Sequence, residues 1–401
     1  MLIVQKFGGT SVADAERIRH VASVITETYK AGNKVIVVLS AQGDTTDELE
    51  KKGFELNPRP SKREMDALLA NGELISIALV AMAIEQMGFP VISLTGKQAG
   101  ILTDSNYGSA RIKKIDTERM TSELEKNNIV LVAGFQGYNK YDDMTTLGRG
   151  GSNTTAVAIA AAMKADLCQN FTDVDGVYTA DPRLVKNARK LPEISFDEML
   201  ELSSLGAQVL ANRAVEMAKR YHVQLEVLSS FTPFTKGTIV KEAVSMENMQ
   251  VSGVARDNNV ARISLVGLRD VPGVASRLFT LLASKKINVD IILQSIGRGE
   301  SKDISFTITK GNMDVARELL ESHKDSLGFE RIEISDSISK VSAVGAGMVN
   351  NPGVAANMFE ALASAGINIQ MISTSEIKVS VLVDKVDSDR AVQAIHDKFF
   401  S

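Results

Sequence analysis

Thr145-Thr146-Leu147-Gly148-Arg149-Gly150-Gly151-Ser152-Asn153-Thr154-Thr155-Ala156 stands between two readable elements. Ahead of it runs an apolar strand, residues 129–134, and behind it a small, Ala-rich helix, residues 156–165. A glycine-dense turn from strand to helix lets bare backbone N–H groups converge on an anion, and the positive end of the following helix adds to the attraction. The Thr and Ser hydroxyls are further donors, and Arg149 brings a planar fork suited to a carboxylate or a phosphate. Gly/Ser/Thr-rich loops are common, so this one gains meaning only from others like it.

The N-terminus supplies the next. Residues 2–6 read as a short buried strand, broken by Phe7-Gly8-Gly9-Thr10-Ser11. Residues 13–29 follow as a helix, with Ile18, Val21, Ala22 and Ile25 at helical spacing. Lys6, at the strand's end, is placed to act as a point charge on phosphate oxygens while the turn's N–H groups bind others. The chain holds no G-x-x-x-x-G-K-[ST] loop, and this turn lacks G-x-G-x-x-G.

Residues 34–40 are nearly all Val, Ile and Leu, as in a strand buried on both faces. Asn57-Pro58-Arg59-Pro60-Ser61 marks a loop, and Ser61 with Glu64 forms a capping-box pattern. The helix it opens runs to about residue 87, with a break expected at Asn71-Gly72. Residues 90–94, 129–133, 167–171 and 224–228 add strands with helices between most of them, which is an α/β pattern with a mostly parallel sheet. Ligands gather at the carboxyl ends of such strands. Those ends carry Lys6-Phe7-Gly8-Gly9, Ser40-Ala41-Gln42-Gly43-Asp44-Thr45-Thr46, Phe135-Gln136-Gly137 and the segment from Thr172-Asp173 to Tyr178. Asp173 and Asp175 alternate with apolar residues; such a pair either holds Mg²⁺ or caps a turn. Lys6, Arg149, Mg²⁺ and three N–H-rich turns together suit phosphoryl transfer, where positioning and charge neutralisation dominate.

At 401 residues the chain exceeds one ordinary core, so two or three domains are expected. Its net charge of -4 argues against nucleic-acid or anionic-membrane partners. Cys168 is the sole cysteine, which leaves no internal disulfide and no multi-Cys metal site; it is expected to be a buried small side chain. His20, His222, His323 and His396 are too scattered in sequence to suggest a His-ligated metal. No run approaches the roughly 18 apolar residues of a membrane span. The chain opens directly into a strand without a signal-peptide pattern, so a cytoplasmic, reducing location is expected.

Past residue 250 the sequence repeats. Val271-Pro272-Gly273-Val274-Ala275 leads into an amphipathic helix and then residues 287–295; Asn351-Pro352-Gly353-Val354-Ala355 leads into a helix and then residues 367–375. Strands at 261–267 and 340–345 precede the two copies, strands at 304–309 and 379–384 follow, and helices at 314–323 and 387–399 close them. Strand–helix–strand–strand–helix is a ferredoxin-like unit, and two copies imply paired modules. Residues 235–247 read as a linker.

These motifs resemble the aspartate kinases of the amino-acid kinase family, and the match runs through nearly the whole chain. Lys6-Phe7-Gly8-Gly9-Thr10-Ser11-Val12 is similar to the family's opening signature, and Ser40-Ala41 with Thr45-Thr46-Asp47-Glu48-Leu49 to its second loop. Phe135-Gln136-Gly137 and Thr146 to Ser152 look like its substrate loops, and residues 172–183 like its nucleotide segment. The resemblance implies an amino-acid kinase fold over residues 1–240, a linker at 241–250, and tandem βαββαβ ACT modules at 251–335 and 336–401. It also implies transfer of the ATP γ-phosphate, with Mg²⁺, to the side-chain carboxylate of L-aspartate. Lys6, Arg149 and Asn153 would be catalytic. Lys6, Gly8, Gly9, Thr10, Thr172, Asp173, Tyr178 and Arg183 would hold ATP. Ser40, Thr46, Glu73, Phe135, Arg149, Gly150, Gly151 and Ser152 would hold aspartate, with Glu73 near its amino group. Asp270, Asn288, Gln294, Asn351, Ser375 and Glu376 would contact an allosteric effector, lysine or threonine or both. The modules imply a homo-oligomer, and Met246 or Met249 could start a separate regulatory subunit.

Some positions depart from the family pattern. Asn153 stands where Asp is usual, Asn71 and Leu74 flank Gly72-Glu73, Ala211-Asn212 replace His-Pro before Arg213, and Gln208 replaces a lysine. These changes support an alternative reading, a catalytically weakened, amino-acid-sensing regulatory paralogue. A third is a kinase for another amino acid, such as glutamate.

Overall fold

A computed structural model describes residues 1–205, 210–242, 250–297 and 301–400, and of residues 349–350 the backbone alone. Gln208, Met246 and Met249 lie outside the described residues. The chain forms two compact units, Met1–Thr179 with Arg189–Met246, and Ala180–Ala188 with Glu247–Ser401.

The first unit is built on an eight-stranded sheet in the order Glu193–Ser195, Thr238–Lys241, Leu225–Ser229, Leu167–Thr172, Leu2–Phe7, Lys34–Leu39, Ile129–Ala133, Val91–Leu94. Only Leu225–Ser229 and Thr238–Lys241 pair antiparallel. Val35 to Leu39 are fully buried, as an unbroken apolar run demands. Phe7, Val35, Val37, Leu39, Ile129 and Leu131 form one core with Ile18, Val21 and Ile25 of the Ala15–Lys30 helix and Ile77, Val80 and Ile84 of the Asn71–Gln86 helix. The opposite face is left to the Gly151–Met163 helix.

Several elements differ from the sequence expectation. The helix after the glycine loop starts at Gly151 rather than at residue 156, because left-handed Gly150 (φ 73°) turns the chain at once into helical geometry. The Asn71-Gly72 break is only Ala70, itself in right-handed helical conformation, between the Lys62–Leu69 and Asn71–Gln86 helices. Together these two are long and apolar enough to cross a membrane by length and composition, contrary to the reading that no such run exists. Their apolar side chains are divided, with Leu69, Ile77, Val80 and Ile84 buried and Ile75, Leu79 and Met82 exposed. Ser61 accepts from the Glu64 N–H at 3.4 Å, whereas a reciprocal capping box forms at Ser195 and Glu198. Thr238–Lys241, expected as linker, is a strand of the main sheet. A second sheet, Ile112–Ile115, Ile101–Thr103, Gln136–Tyr138, Met144–Thr146, had no sequence signal, since strands of three or four residues show no period.

The second unit holds two four-stranded antiparallel sheets. One orders Ile292–Gln294, Ser301–Thr309, Val260–Arg269, Arg331–Ser335 and carries the Val274–Ser284 and Met313–Ser322 helices. The other orders Gly253–Asp257, Ile338–Val344, Lys378–Asp384, Met371–Ser375 and carries Val354–Ser364 and Ser388–Phe400. Each is a ferredoxin-like module. The Gly253–Asp257 strand precedes the first module in sequence but pairs with Ile338–Val344 of the second, so a cut at 335/336 does not separate the modules. Ala180 and Val185 also lie in the second module's core.

Candidate active site

The parallel strands end along one edge, and the chain departs in opposite directions on either side of Leu2–Phe7, which makes that edge a crevice. Lys6 lies just inside it, 8 % exposed. Its ammonium sits beneath the glycine turn, 3.4 Å from where a Cβ on Gly8 would be. Burial lowers the Lys6 pKa to about 8, against the pull of Asp173, which raises it. A lysine so desolvated gains from a phosphate more than an exposed one would. Gly9 packs on the next loop: a Cβ there would meet the Ala41 carbonyl at 2.6 Å, and the Gly43 N–H donates to the Gly9 carbonyl at 3.0 Å. Only glycine permits this closeness.

The opening loop lies on the same edge. The Gly134 N–H donates to the Leu39 carbonyl at 2.9 Å, and Leu39 is the sheet partner of Phe7. A Cβ on Gly134 would meet Ser152 Oγ at 2.8 Å, so the first turn of the Gly151–Met163 helix rests on the strand ends beside Lys6. Gly148 and Gly150 are both left-handed. Arg149 between them is exposed, and no ion pair holds it among the described residues. Phe135, itself at φ 66°, accepts from the Leu147 N–H at 2.8 Å and lies against Gly151. Asn153 falls in the first helical turn, with no hydrogen bond from its side chain to any described residue.

Glu73 reaches the edge from the Asn71–Gln86 helix and is 2 % exposed. One of its oxygens accepts from the Ala41 N–H at 3.1 Å. The other is buried without a partner. Burial raises its pKa to about 7. A buried, half-satisfied carboxylate in a crevice asks for a cation. Ser40 follows the Lys34–Leu39 strand, its N–H bonded to the Phe7 carbonyl at 3.2 Å, and Thr46 lies in the first turn of Thr45–Leu56.

The nucleotide segment divides. Thr172 ends its strand next to Phe7, and its hydroxyl donates to Asp173 at 3.0 Å. Asp175 accepts from the Tyr178 hydroxyl at 2.7 Å and pairs with Lys190 at 3.1 Å. It is therefore engaged in a turn, and Asp173 alone of the two stands near Lys6. Arg183 lies in the Ala180–Ala188 segment, which groups with the second unit, and Asp181 is bound across its guanidinium. Among the described residues no three His, Cys, Asp or Glu cluster around a metal position. Cys168 is buried, and its thiol pKa is pushed up to about 12 by burial.

In the second unit, Asp270 pairs with Lys302 at 2.5 Å and faces Gly297, just beyond the exposed Gln294. Asn288 lies at the opposite end of that sheet, two residues before Asp290, which bonds Thr307, so the expected contacts do not form one cluster within a module. Asn351 bonds the Gly347 carbonyl at 2.7 Å, and Ser375 and Glu376 are exposed at the end of the Met371–Ser375 strand.

Sequence matches decide the family. Residues 1–229 match the amino acid kinase family, and residues 263–323 and 341–399 match the ACT domain. The aspartokinase of Mycolicibacterium smegmatis is 52 % identical over 404 residues, covering 99 % of this chain and 96 % of that protein. This chain belongs to the aspartokinase family. Aspartokinase 2 of Bacillus subtilis (strain 168) is also 52 % identical, over 99 % of this chain and 97 % of its own. Among solved aspartokinases, E. coli aspartokinase III in complex with aspartate and ADP superposes with a TM-score of 0.82 at 26 % identity, each chain covered in full. The same enzyme with lysine and aspartate gives 0.77. Family membership accounts for a kinase unit joined to paired ACT modules. The sequence reading passed over Asp66, buried on the Lys62–Leu69 helix, and its only signal is the seven-residue step to Glu73, which puts both on one helical face.

Proposed function

We propose that the protein is an ATP-dependent aspartate kinase that transfers the γ-phosphate to the side-chain carboxylate of L-aspartate. The product, 4-phospho-L-aspartate, would feed lysine, threonine and methionine synthesis. One observation carries this reading: Lys6, the Gly150–Ser152 helix start and the half-satisfied Glu73 converge on one sheet edge. Lys6 neutralises charge on the transferring phosphoryl group while Gly8, Gly9 and Thr10 offer backbone donors to the phosphates. Arg149 takes a substrate carboxylate in its fork, and Glu73 takes the ammonium. Ser40, Thr46, Phe135, Gly150, Gly151 and Ser152 shape the acceptor pocket, and Thr172, Asp173 and Tyr178 the nucleotide side. Catalysis here is positioning and charge stabilisation.

Mg²⁺ fits this donor set as a companion of ATP rather than a caged ion, since it is commonly held by one or two carboxylates and the phosphates. Asp173, exposed and free of ion pairs among the described residues, is the carboxylate that would hold it, and it would supply charge neutralisation.

The ACT modules act as sensors of end-product lysine, threonine or both, through Asp270, Asn288, Gln294, Asn351, Ser375 and Glu376. The Ile292–Gln294 and Met371–Ser375 strands end their sheets with Ile292, Leu293 and Ile372 exposed, which supports a homo-oligomer formed edge to edge. We place the protein in the cytoplasm.

The test is a hydroxamate assay with aspartate, Mg²⁺ and ATP, with and without lysine and threonine. Aspartyl hydroxamate suppressed by either amino acid is expected; its absence overturns the proposal. The free side chain of Asn153 favours the second reading, a weakened sensor. A large rate gain in Asn153→Asp would show a native site impaired at that position, and an unchanged rate would show that Asn suffices.

A further inference from the structure

The glycine loop that bears Arg149 leaves the fold through a neck of two chains, residues 108–110 and 146–148. The Ala110 N–H donates to the Thr146 carbonyl at 2.8 Å, and a Cβ on Gly148 would meet the Gly108 carbonyl at 3.1 Å. Past the neck, the Gly151 N–H closes back on the Gly148 carbonyl at 2.9 Å. Leu147 abuts the helix start, its Cβ 3.0 Å from where a Cβ on Gly151 would be.

Two groups of opposite charge hold this neck. Asp66, 1 % exposed, takes the N–H groups. The Thr146 N–H donates to its Oδ2 at 2.8 Å, the Gly108 N–H lies at 3.0 and 2.9 Å from its two oxygens, and the Thr146 hydroxyl adds a bond at 2.7 Å. Asp66 sits on the Lys62–Leu69 helix, which only Ala70, in helical conformation, separates from the helix that carries Glu73. Arg213, on the Asn212–Tyr221 helix, takes the carbonyls. One guanidinium nitrogen donates to Leu147 at 3.1 Å and the other to Ala110 at 3.0 Å. Each group therefore bonds both chains, the carboxylate through their donors and the guanidinium through their acceptors.

Arg213 is half-buried, and among the described residues no carboxylate forms an ion pair with it. Burial and the Arg111 charge lower its pKa, against the pull of Asp104 and Glu216. A guanidinium that gives up hydration without a counter-ion is held by the bonds that replace it, here the two carbonyls. The same helix meets the loop directly, since a Cβ on Gly150 would lie 2.6 Å from the Ala211 Cβ.

We infer that Arg213 is a positioning residue of the kinase site: together with Asp66 it clamps the neck of the glycine loop and so fixes where the Gly150–Ser152 helix start presents its N–H groups. The inference rests on the assignment of that helix start to the amino-acid acceptor, proposed above. A loop loose at its neck must be ordered anew whenever its substrate binds, and that ordering lowers affinity for this substrate. Affinity for ATP, whose backbone donors come from the Gly8–Thr10 turn, is spared.

The experiment measures KM for aspartate and for ATP, by hydroxamate formation, in Arg213→Met, Arg213→Lys, Asp66→Asn and the double variant Asp66→Asn/Arg213→Met. Lys219→Ala, which removes an exposed ion pair with Asp197 from the same helix, is the control. Arg213→Met should raise KM for aspartate about tenfold and leave KM for ATP within about twofold. Arg213→Lys should fall well short of wild type, because a point charge cannot bond both carbonyls as a planar fork does. In the double variant the increase should be well below the product of the two single increases, because a neck already opened has little left to lose. Lost folding alone lowers the active fraction and leaves both KM values in place, as expected for the control. If Asp66→Asn does not fold, Thr146→Val, which removes one of its bonds, takes its place. Folded Arg213 variants with an unchanged KM for aspartate overturn the inference, as do a parallel rise of both KM values or a double variant that reaches the full product. An Arg149→Ala enzyme with unchanged KM for aspartate overturns instead the assignment of the loop to the acceptor, and a wild type that makes no aspartyl hydroxamate overturns the functional reading beneath both.

Discussion

Glu73 accepts a hydrogen bond from the Ala41 backbone N–H at 3.1 Å with one oxygen and holds the other buried and unpartnered. The arrangement joins a helix to the loop after the second strand and leaves one buried acceptor open.

Its proton sets an acid limb. With its pKa raised by burial to about 7, Glu73 is protonated at acid pH and ionises through neutrality in the free protein. The kcat/KM for aspartate should therefore climb with pH to a plateau past 7, and Glu73→Gln should remove that limb with most of the activity. Stability runs the other way. A carboxyl whose folded pKa lies above its unfolded value binds an extra proton when folded, so its destabilising effect is absent below pH 4.5 and complete above 7. The shift corresponds to about 3 kcal/mol. Glu73→Gln should melt higher than wild type at pH 8, with the gap closing towards pH 4.5; equal melting curves at pH 8 would contradict this.

Lys6 sets the opposite limb. Burial holds its pKa at about 8, and Asp173 supports it from above that loss. The kcat/KM for ATP should fall as pH rises through 8. Asp173→Asn should move that limb to lower pH, because a charge that raises the lysine's pKa has gone. Lys6→Ala should abolish aspartyl-phosphate formation, read as hydroxamate; unchanged turnover would refute its role.

The two turn glycines should differ. Alanine at Gly9 would press on the Ala41 carbonyl at 2.6 Å, a backbone atom that cannot step aside. We expect Gly9→Ala to lose about 1–3 kcal/mol and nearly all activity. Alanine at Gly8 meets only the Lys6 ammonium, at 3.4 Å. Gly8→Ala should keep the wild-type melting temperature while raising KM for ATP. Equal destabilisation of both would show that crowding is not what selects glycine here.

Lys340 is buried in the second unit and paired with Asp290 of the preceding module, with Asp257 at 4.0 Å. Removing Asp290 leaves the buried Lys340 ammonium with only the more distant Asp257 carboxylate. The Asp290 side chain is 46 % exposed and Asp257 stays within reach of Lys340, so Asp290→Ala should destabilise that unit by only about 1 kcal/mol, and Asp290→Ala with Lys340→Met should recover most of it. Calorimetry on both variants separates the pair's own worth from the cost of the stranded lysine.

How much of this the sequence carried depends on the range of the interaction. Lys6, Gly8 and Gly9 were legible because a strand, a glycine turn and a helix are local, and one residue type fits each position. Val35 to Leu39 announced a doubly covered strand by composition alone. The repeat from Val271 and from Asn351 gave both modules. A motif says nothing about which unit a segment joins, as for Arg183, or at which end of a sheet a loop emerges, as for Asn288. The pairing of Gly253–Asp257 with Ile338–Val344 had no signal for the same reason: pairing partners are chosen by geometry across distance.

By itself the sequence determined the two kinds of unit, the glycine turns and the side chains able to meet phosphate and carboxylate. Tertiary structure alone decided that Glu73 keeps an empty oxygen, that Lys6 is desolvated, and that Asp66 ties the Arg149 loop to the helix bearing Glu73. The physical reason is that burial and long-range hydrogen bonding set a group's charge and aim, and neither is encoded in the residue's nearest neighbours along the chain.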